Sequence, residues 1–139
     1  TLFVDSAMGG GEFHDAALSL VIDTFGPGSV QSLPAGHPLL TGAFAGGMGS
    51  DLTKVQFTRA AAAEAGDNHA CKLFGVLIDG RAGVIISPLS VCCPVLSQPV
   101  YGCRGLAAPD ACRLAANVLL YAATNPVAAP MVAKKPVRP

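Results

Sequence analysis

The chain carries little charge, and that charge is unevenly distributed. Asp, Glu, Lys and Arg form 13% of its residues, against roughly 25% in typical soluble domains, while hydrophobic residues form 51%. So little charge covers a free surface poorly, which favours a subunit or one domain of a larger body. Residues 1–124 hold six basic and nine acidic side chains, and residues 125–139 hold three basic side chains and no acid. Neither part has a basic patch interleaved with aromatic residues, so we expect no nucleic-acid partner.

The sequence also lacks the usual signs of membrane insertion and of export. It contains no apolar run of about 18 residues, so we expect no transmembrane segment. Residues 1–10 lack the basic start of a signal peptide and an initiator Met. They begin inside an apolar run typical of a strand. We therefore expect a processed product or a fragment whose earlier elements lie upstream.

The five cysteines do not form a metal-binding pattern. They are Cys71, Cys92, Cys93, Cys103 and Cys112, an odd number without a Cys-x-x-Cys pair, which argues against a zinc ribbon or a complete disulfide framework. Free cysteine is among the most buried residue types, so we interpret these side chains as small buried hydrophobes. A disulfide such as Cys92–Cys103 stays open for an oxidising compartment. We expect no metal and no cofactor.

The strongest structural signal lies in residues 73–88, LFGVLIDGRAGVIISP. Two apolar, β-branched runs flank Asp79-Gly80, a pair typical of a type I′ hairpin turn because both central residues of that turn need a positive φ. Neither run alternates between apolar and polar residues. We therefore expect both faces of the hairpin to be covered, as in the middle of a layered α/β domain.

Elements on either side of the hairpin complete an α/β pattern. Residues 2–4 favour a buried parallel strand, and residues 12–25 have apolar side chains at helical spacing, ended by Gly26-Pro27-Gly28. A second apolar stripe begins beside Pro109 and predicts a helix that ends at Thr124. This order predicts a three-layer α/β fold with an antiparallel hairpin.

The remaining segments are less regular. Their predicted states are a strand at 30–33, a packed loop at 34–49, a half-exposed strand at 52–59, a helical turn or loop at 60–66 and an irregular stretch at 89–105. Residues 125–139 have no core pattern and are predicted as an extended tail rich in Pro, Ala and Lys. The predicted domain therefore spans residues 1–124.

An ordered series of short motifs runs through that domain. It begins with Asp5 at the end of a strand, a Gly-rich turn and Glu12-Phe13 at the start of a helix. This series resembles the bacterial domain of unknown function 4159, which is grouped with the type 1 glutamine amidotransferase-like α/β fold. The further motifs are Leu33-Pro34, His37-Pro38-Leu39, Phe74-Gly75, Asp79-Gly80-Arg81, Val84-Ile85-Ile86-Ser87-Pro88, Cys92, Arg113-Leu114, Asn117-Val118-Leu119 and Tyr121-Ala122.

The resemblance implies a fold more than a function. It implies a flavodoxin-like or amidotransferase-like sheet whose first strands, in the full domain, precede Thr1. The family has no established activity, so the resemblance implies no reaction. Its members often form the C-terminal parts of membrane-anchored or exported bacterial proteins, which leaves localisation open.

The sequence does not contain the nucleophile of an active amidotransferase. That nucleophile is a cysteine on a Gly-x-Cys-x-Gly elbow, and it needs an activating histidine. The nearest string is Tyr101-Gly102-Cys103-Arg104-Gly105, in which the first glycine is misplaced, and no histidine follows His69. We therefore interpret Cys103 as structural, and His37 as a packing residue of its loop.

A better candidate site is the carboxyl end of the first strand, where open α/β sheets bind ligands. The candidate ligand-binding residues are Asp5, Ser6, Gly10 and Gly11, because N–H groups at a helix start can hold an anion. Asp5 is also a candidate acid, base or metal ligand, together with Glu12 and His14. The structural interpretation is the stronger one. Asp5 or Ser6 can cap the turn, and an acidic residue in a first helical turn stabilises the helix dipole without any ligand.

Two functional hypotheses follow. The first is a non-catalytic, amidotransferase-like α/β domain that serves as a binding or self-assembly module. It would act in a homo-oligomer or a larger protein assembly, with its basic tail docked on a neighbour, and burial of Leu39, Leu40 and Phe44 between chains would favour it. The second is a hydrolase or small-ligand-binding enzyme whose site residues converge in a pocket; they are Asp5, Glu12 and His14.

Overall fold

A computed structural model describes residues 1–96 and 101–124, and the predicted tail at 125–139 lies outside the described residues. The described residues form a mixed α/β structure, which confirms the predicted class. Its strands are β1 (Leu2–Asp5), β2 (Val30–Ser32), β3 (Phe74–Ile78) and β4 (Arg81–Ser87). Its helices are α1 (Glu12–Phe25), α2 (Pro38–Thr41), α3 (Arg59–Ala65), α4 (Cys92–Val95) and α5 (Ala108–Thr124).

The four strands form one mixed sheet in the order β1-β4-β3-β2. β4 pairs in parallel with β1 and antiparallel with β3, and β3 pairs antiparallel with β2. The predicted hairpin joins β3 to β4, and its turn residues Asp79 and Gly80 have φ values of 51° and 77°. Positive φ at both positions is what a type I′ turn requires, so the hairpin prediction is confirmed.

Apolar layers cover both faces of this sheet, as the unbroken hydrophobicity of the hairpin predicts. On one face, α1 contributes Val21 to a cluster with Val84 and Ile86 of β4. On the other face, Ile85 of β4 joins a larger cluster that includes Leu114 of α5. Successive side chains of a strand point to opposite faces, so β4 supplies both clusters at once. It is therefore the centre of the fold.

The first strand is parallel, as predicted, but it is not buried. Within the described residues β1 pairs only with β4, and its other edge is open. Leu2 is 56% exposed, and Phe3, Val4 and Asp5 are half-buried. The prediction of a buried strand is wrong because an apolar composition does not show whether a strand has neighbours on both sides.

The predicted strand at 52–59 is also wrong. Leu52 and Val55 are buried in the large cluster, but the segment contains only an isolated bridge between Phe57 and Leu106. The alternation of apolar and polar residues arises because an irregular segment packs two aliphatic side chains into the core. The alternation of apolar and polar residues therefore indicated which side chains are buried, but it did not indicate backbone pairing in a sheet.

Short helices interrupt the segments predicted as loops. The His37 ring nitrogen accepts the Leu39 N–H and begins α2, and the Thr58 hydroxyl accepts the Ala61 N–H and begins α3. Side chains that accept the first free N–H groups of a helix stabilise its start. The predicted helical turn at 60–66 thus becomes two turns of helix from Arg59 to Ala65.

The apolar side chains that would favour an interface between chains lie in the core of this chain instead. Leu39, Leu40 and Phe44 are all buried members of the larger cluster beneath the sheet. They therefore contribute to folding of the single chain. A contact between chains must use other residues.

Asn117 of α5 connects two loops to the core. It is fully buried; its side-chain carbonyl accepts the Ser50 N–H at 2.9 Å, and its amide donates to the carbonyls of Leu39 at 2.9 Å and Ser50 at 2.8 Å. One helical turn later, the Tyr121 hydroxyl accepts the Ala82 N–H at 2.9 Å. Buried backbone groups need such partners, so α5 satisfies the loops and the hairpin that it covers.

Asn117→Leu is expected to lower the free energy of unfolding by about 3 kcal/mol, because it leaves the backbone groups of Leu39 and Ser50 buried without partners. Urea denaturation measures the change. Asn68→Ala is the matched control, since the exposed Asn68 side chain bonds only the nearby Ala70 N–H. Equal, small losses in the two variants would contradict the role of Asn117.

His37 makes stability depend on pH. Its Nδ1 accepts the Leu39 N–H at 3.3 Å, its ring lies 5.3 Å from the ring of Tyr121, and burial lowers the pKa of the imidazole from 6.5. The folded state therefore holds the proton less tightly than the unfolded state. This contribution to stability is complete above pH 6.5 and is lost as the pH falls below it.

His37→Asn is expected to remove that part of the pH dependence, because asparagine still accepts the N–H of the helix start but does not titrate. Urea denaturation of wild type and variant between pH 7.5 and 5.5, about the ordinary histidine range, measures it. The wild type is expected to lose more stability than the variant over this interval. Parallel profiles of the two proteins would contradict the role of His37.

Candidate functional site

The candidate site lies where the parallel strands β1 and β4 end. Asp5 is in register with Ser87, and the Ser6 N–H donates to the Ser87 carbonyl at 3.2 Å. The loop after β1, the loop after β4 and the loop before α5 meet at this edge, since the Arg104 N–H donates to the Met8 carbonyl at 2.9 Å. The strand end predicted from the sequence is therefore a junction of three segments.

Asp5 holds the first turn of α4. Its two carboxylate oxygens accept the N–H groups of Val91 at 2.8 Å and Cys92 at 2.9 Å. These N–H groups begin a helix and have no partner within it. Asp5 is thus a cap, as the structural interpretation allows, although it caps α4 and not the turn that follows it in the sequence.

Ser6 and His14 are brought together. The Ser6 hydroxyl oxygen lies 3.0 Å from Nδ1 of His14, and Ser6 is fully buried while His14 is half-buried. A hydroxyl beside an imidazole can act as a nucleophile with its base only if a substrate reaches the hydroxyl. Because Ser6 has no exposed surface, the pair fastens the first turn of α1 to the end of β1.

The three residues of the enzyme hypothesis do not bond to one another. Among the described residues, no hydrogen bond or ion pair joins Asp5, Glu12 or His14 to another member of this set. Glu12 is exposed in the first turn of α1. There its negative charge interacts favourably with the positive end of the helix dipole, as the structural interpretation of that residue states.

The glycines of the turn allow a close approach of backbone to backbone. Gly9, Gly10 and Gly11 all have positive φ, of 78°, 89° and 81°. A Cβ on Gly9 would lie 1.6 Å from the carbonyl oxygen of Arg104, so only glycine fits there. At Gly10, a Cβ would lie 3.3 Å from a guanidinium nitrogen of Arg104. Sequence reasoning could not reveal this contact, because 94 residues of chain separate its partners.

Arg104 is the charged side chain of this junction. It forms an ion pair with Glu64 of α3, and its Nε is buried without a hydrogen-bond partner among the described residues. Both members of the pair are roughly half exposed, so its contribution to stability is small. The pair orients the guanidinium beside the glycine turn.

Three thiols gather at the same strand end, and sequence reasoning missed them as a group. The sulfur of Cys92 lies 3.9 Å from that of Cys93 and 3.8 Å from the hydroxyl oxygen of Ser90. Cys103 approaches from the loop before α5, whose backbone pairs with Ser90. The interpretation of the cysteines as buried hydrophobes is wrong for Cys92 and for Cys112 of α5, which are both exposed.

The surroundings shift the pKa values of the three thiols in different directions. The Asp5 carboxylate and partial burial raise the pKa of Cys92 to about 11. The Ser90 hydroxyl and the backbone of Met8 lower the pKa of Cys93. Burial raises the pKa of Cys103. Cys93 is therefore the thiol of this group that most readily becomes a thiolate.

Asp5→Asn is expected to return the pKa of Cys92 from about 11 toward its ordinary value of 9.0, because the amide carries no negative charge against the thiolate. Alkylation of Cys92 by iodoacetamide at mildly alkaline pH should then accelerate by about tenfold. Mass spectrometry measures the rate, with exposed Cys112 in the same chain as the reference thiol.

Asp51→Asn is the matched control for this substitution. The Asp51 carboxylate is exposed, and among the described residues it bonds only to Thr53, so its loss should leave Cys92 unchanged. An unaltered rate at Cys92 in a folded Asp5→Asn protein would contradict the effect of the carboxylate on that thiol.

Metal-binding clusters, membrane-spanning helices and similarity to known proteins were each sought. In the described part of the chain, no three or more His, Cys, Asp or Glu side chains are arranged to hold a metal ion. No helix of that part is long and apolar enough to cross a membrane. Comparison of the chain with protein-family profiles, with curated proteins and with solved structures found no match.

Proposed function

We propose that the chain is an amidotransferase-like α/β domain, of the kind found in domain of unknown function 4159, that serves as a non-catalytic self-assembly module. Its partner in this proposal is a second copy of the same chain, bound through the open edge of β1. The observation that carries the proposal is that, within the described residues, this edge strand is apolar and has no covering segment. Asp5 already accepts two backbone N–H groups, and Ser6 is buried; both observations support a non-catalytic role.

The open edge of β1 is suited to accept another strand. Natural sheets protect their edges with charged residues, proline, bulges or a covering segment. β1 has the sequence Leu-Phe-Val-Asp, so its first three residues carry no such protection, and its one charged side chain is turned to the start of α4. Backbone groups on the open side of such a strand bind an added strand through main-chain hydrogen bonds.

An apolar surface adjoins this edge. Leu2 is 56% exposed, and Leu20 and Phe25 of α1 are 67% and 45% exposed. Together they border a cavity of about 480 Å³ between α1 and the β3–β4 hairpin, and none of its described lining residues is charged. We call Leu2, Leu20 and Phe25 the edge surface. The helical spacing of α1 predicted an apolar face, but the sheet covers only part of it.

A second copy of the chain fits the edge surface better than a charged partner does. In a two-fold dimer whose axis passes near Leu2, the first residues of each β1 would pair antiparallel with those of the other copy, and the same apolar residues would meet across the axis. Two four-stranded sheets would become one sheet of eight strands. The chain has a formal net charge of zero, so two copies do not repel each other over a distance.

Sedimentation of the full chain tests this proposal. We expect the wild type to form a dimer at micromolar concentrations. A variant with Leu2→Lys and Leu20→Lys should be a folded monomer, because the substitution places like charges on both sides of the axis and removes exposed apolar area.

Leu119→Lys is the matched control, since Leu119 is 71% exposed on α5, on the opposite face of the sheet. This variant should remain a dimer, and circular dichroism should show that all three proteins are folded. A monomeric wild type, or dissociation of the control to the same degree, would overturn the proposal.

A further inference from the structure

Two of the three cysteines at the strand end differ in their exposure to solvent. Cys93 is partly exposed, and Cys103 is 6% exposed. Each thiol influences the pKa of the other, so the two side chains are close together. One thiol is thus open to a reagent from solution, and a second, shielded thiol lies within its reach.

Hydrogen bonds to the backbone hold the two thiol-bearing segments side by side. The Ser90 N–H donates to the Arg104 carbonyl at 2.9 Å, and the Leu106 N–H donates to the Ser90 carbonyl at 3.3 Å. The Thr58 hydroxyl donates to the Cys103 carbonyl at 2.7 Å. The segment that carries Cys103 is therefore fixed beside the start of α4, which carries Cys93.

The two segments also pack closely against each other. A Cβ on Gly105 would lie 2.5 Å from the Ser90 carbonyl oxygen and 3.3 Å from the Pro94 ring. Glycine at this position lets the loop before α5 lie directly on the first turn of α4. The contact places the thiol-bearing residues next to each other in the folded chain.

We propose that Cys93 and Cys103 form a thiol–disulfide exchange site, whose substrate is a small-molecule disulfide. The Cys93 thiolate attacks one sulfur of the small disulfide, whose S–S bond breaks, and one small thiolate leaves and takes up a proton. Cys103 then loses its proton and attacks the Cys93 sulfur in the mixed disulfide, which releases the second small thiol. Two electrons and two protons thus pass from the cysteine pair to the small disulfide.

The division of roles follows from the surroundings of each thiol. The attacking sulfur must be accessible and must reach the thiolate state, and Cys93 is partly exposed and accepts stabilising contacts from Ser90 and Met8. The resolving thiol needs only to be close, and Cys103 meets this requirement while being shielded. This assignment differs from the bridge between Cys92 and Cys103 that the sequence left open.

Cys92 is a poor partner for Cys93 although their sulfurs lie 3.9 Å apart. A disulfide between adjacent residues closes a strained ring, and it would distort the peptide that Asp5 holds at the start of α4. The bridge is therefore assigned to Cys93 and Cys103.

Incubation of the full chain with mixtures of oxidised and reduced glutathione tests this assignment. Acid quenching followed by intact-mass measurement and peptide mapping should show the loss of two hydrogens and a cross-link between the peptides of Cys93 and Cys103. Reduced glutathione should reverse it. In Cys103→Ser the second step is impossible, so glutathione should accumulate on Cys93, and in Cys93→Ser the bridge should be lost.

Cys92→Ser and Cys112→Ser are the matched controls, and both should retain the bridge. Exposed Cys112 also serves as an internal reference within the wild type, which needs no variant to fold. A bridge between Cys92 and Cys93 would overturn the assignment. So would a wild type in which Cys112 becomes glutathionylated while Cys93 and Cys103 stay reduced.

Discussion

The burial of β4 on both of its faces and along both of its edges is the constraint on which the fold depends. Six of its seven residues are buried, and it pairs in parallel with β1 and antiparallel with β3. A strand in this position needs a covering helix on each side, which α1 and α5 supply through their apolar faces. The short helices and loops then satisfy the backbone groups that this layering leaves at the ends of the sheet.

Polar residues of the family-like motifs perform that second task. Asp5 holds the start of α4, Asn117 bonds two loops to α5, and Tyr121 bonds the hairpin to the same helix. Each side chain joins segments that are distant in the sequence. Such residues can therefore stabilise a fold without taking part in a reaction.

Local signals were sufficient where one segment determines its own structure. The Asp79-Gly80 turn and the bounds of α1 at Glu12 and Phe25 agree with the pattern of the chain, because turn chemistry and helix breakers act over a few residues. The strand predicted at 52–59 failed because burial in a loop imitates alternation. The thiol group could not be predicted, since the contact of Cys103 with α4 depends on how α5 packs and on a glycine that permits it.

The two ends of β1 differ in chemistry, and the proposed association and the proposed thiol exchange use opposite ends of this strand. Its first residue, Leu2, borders the apolar edge surface, whereas its last residue, Asp5, lies at the thiol group. A strand rises about 3.3 Å per residue, so the two ends are roughly 10 Å apart. Pairing of β1 with another copy would fix the backbone of Asp5 and thereby the start of α4. Oxidation of Cys93 would require a change at that same helix start, because Cys93 lies in the first turn of α4. The rigidity of a single short strand therefore couples the two proposed activities.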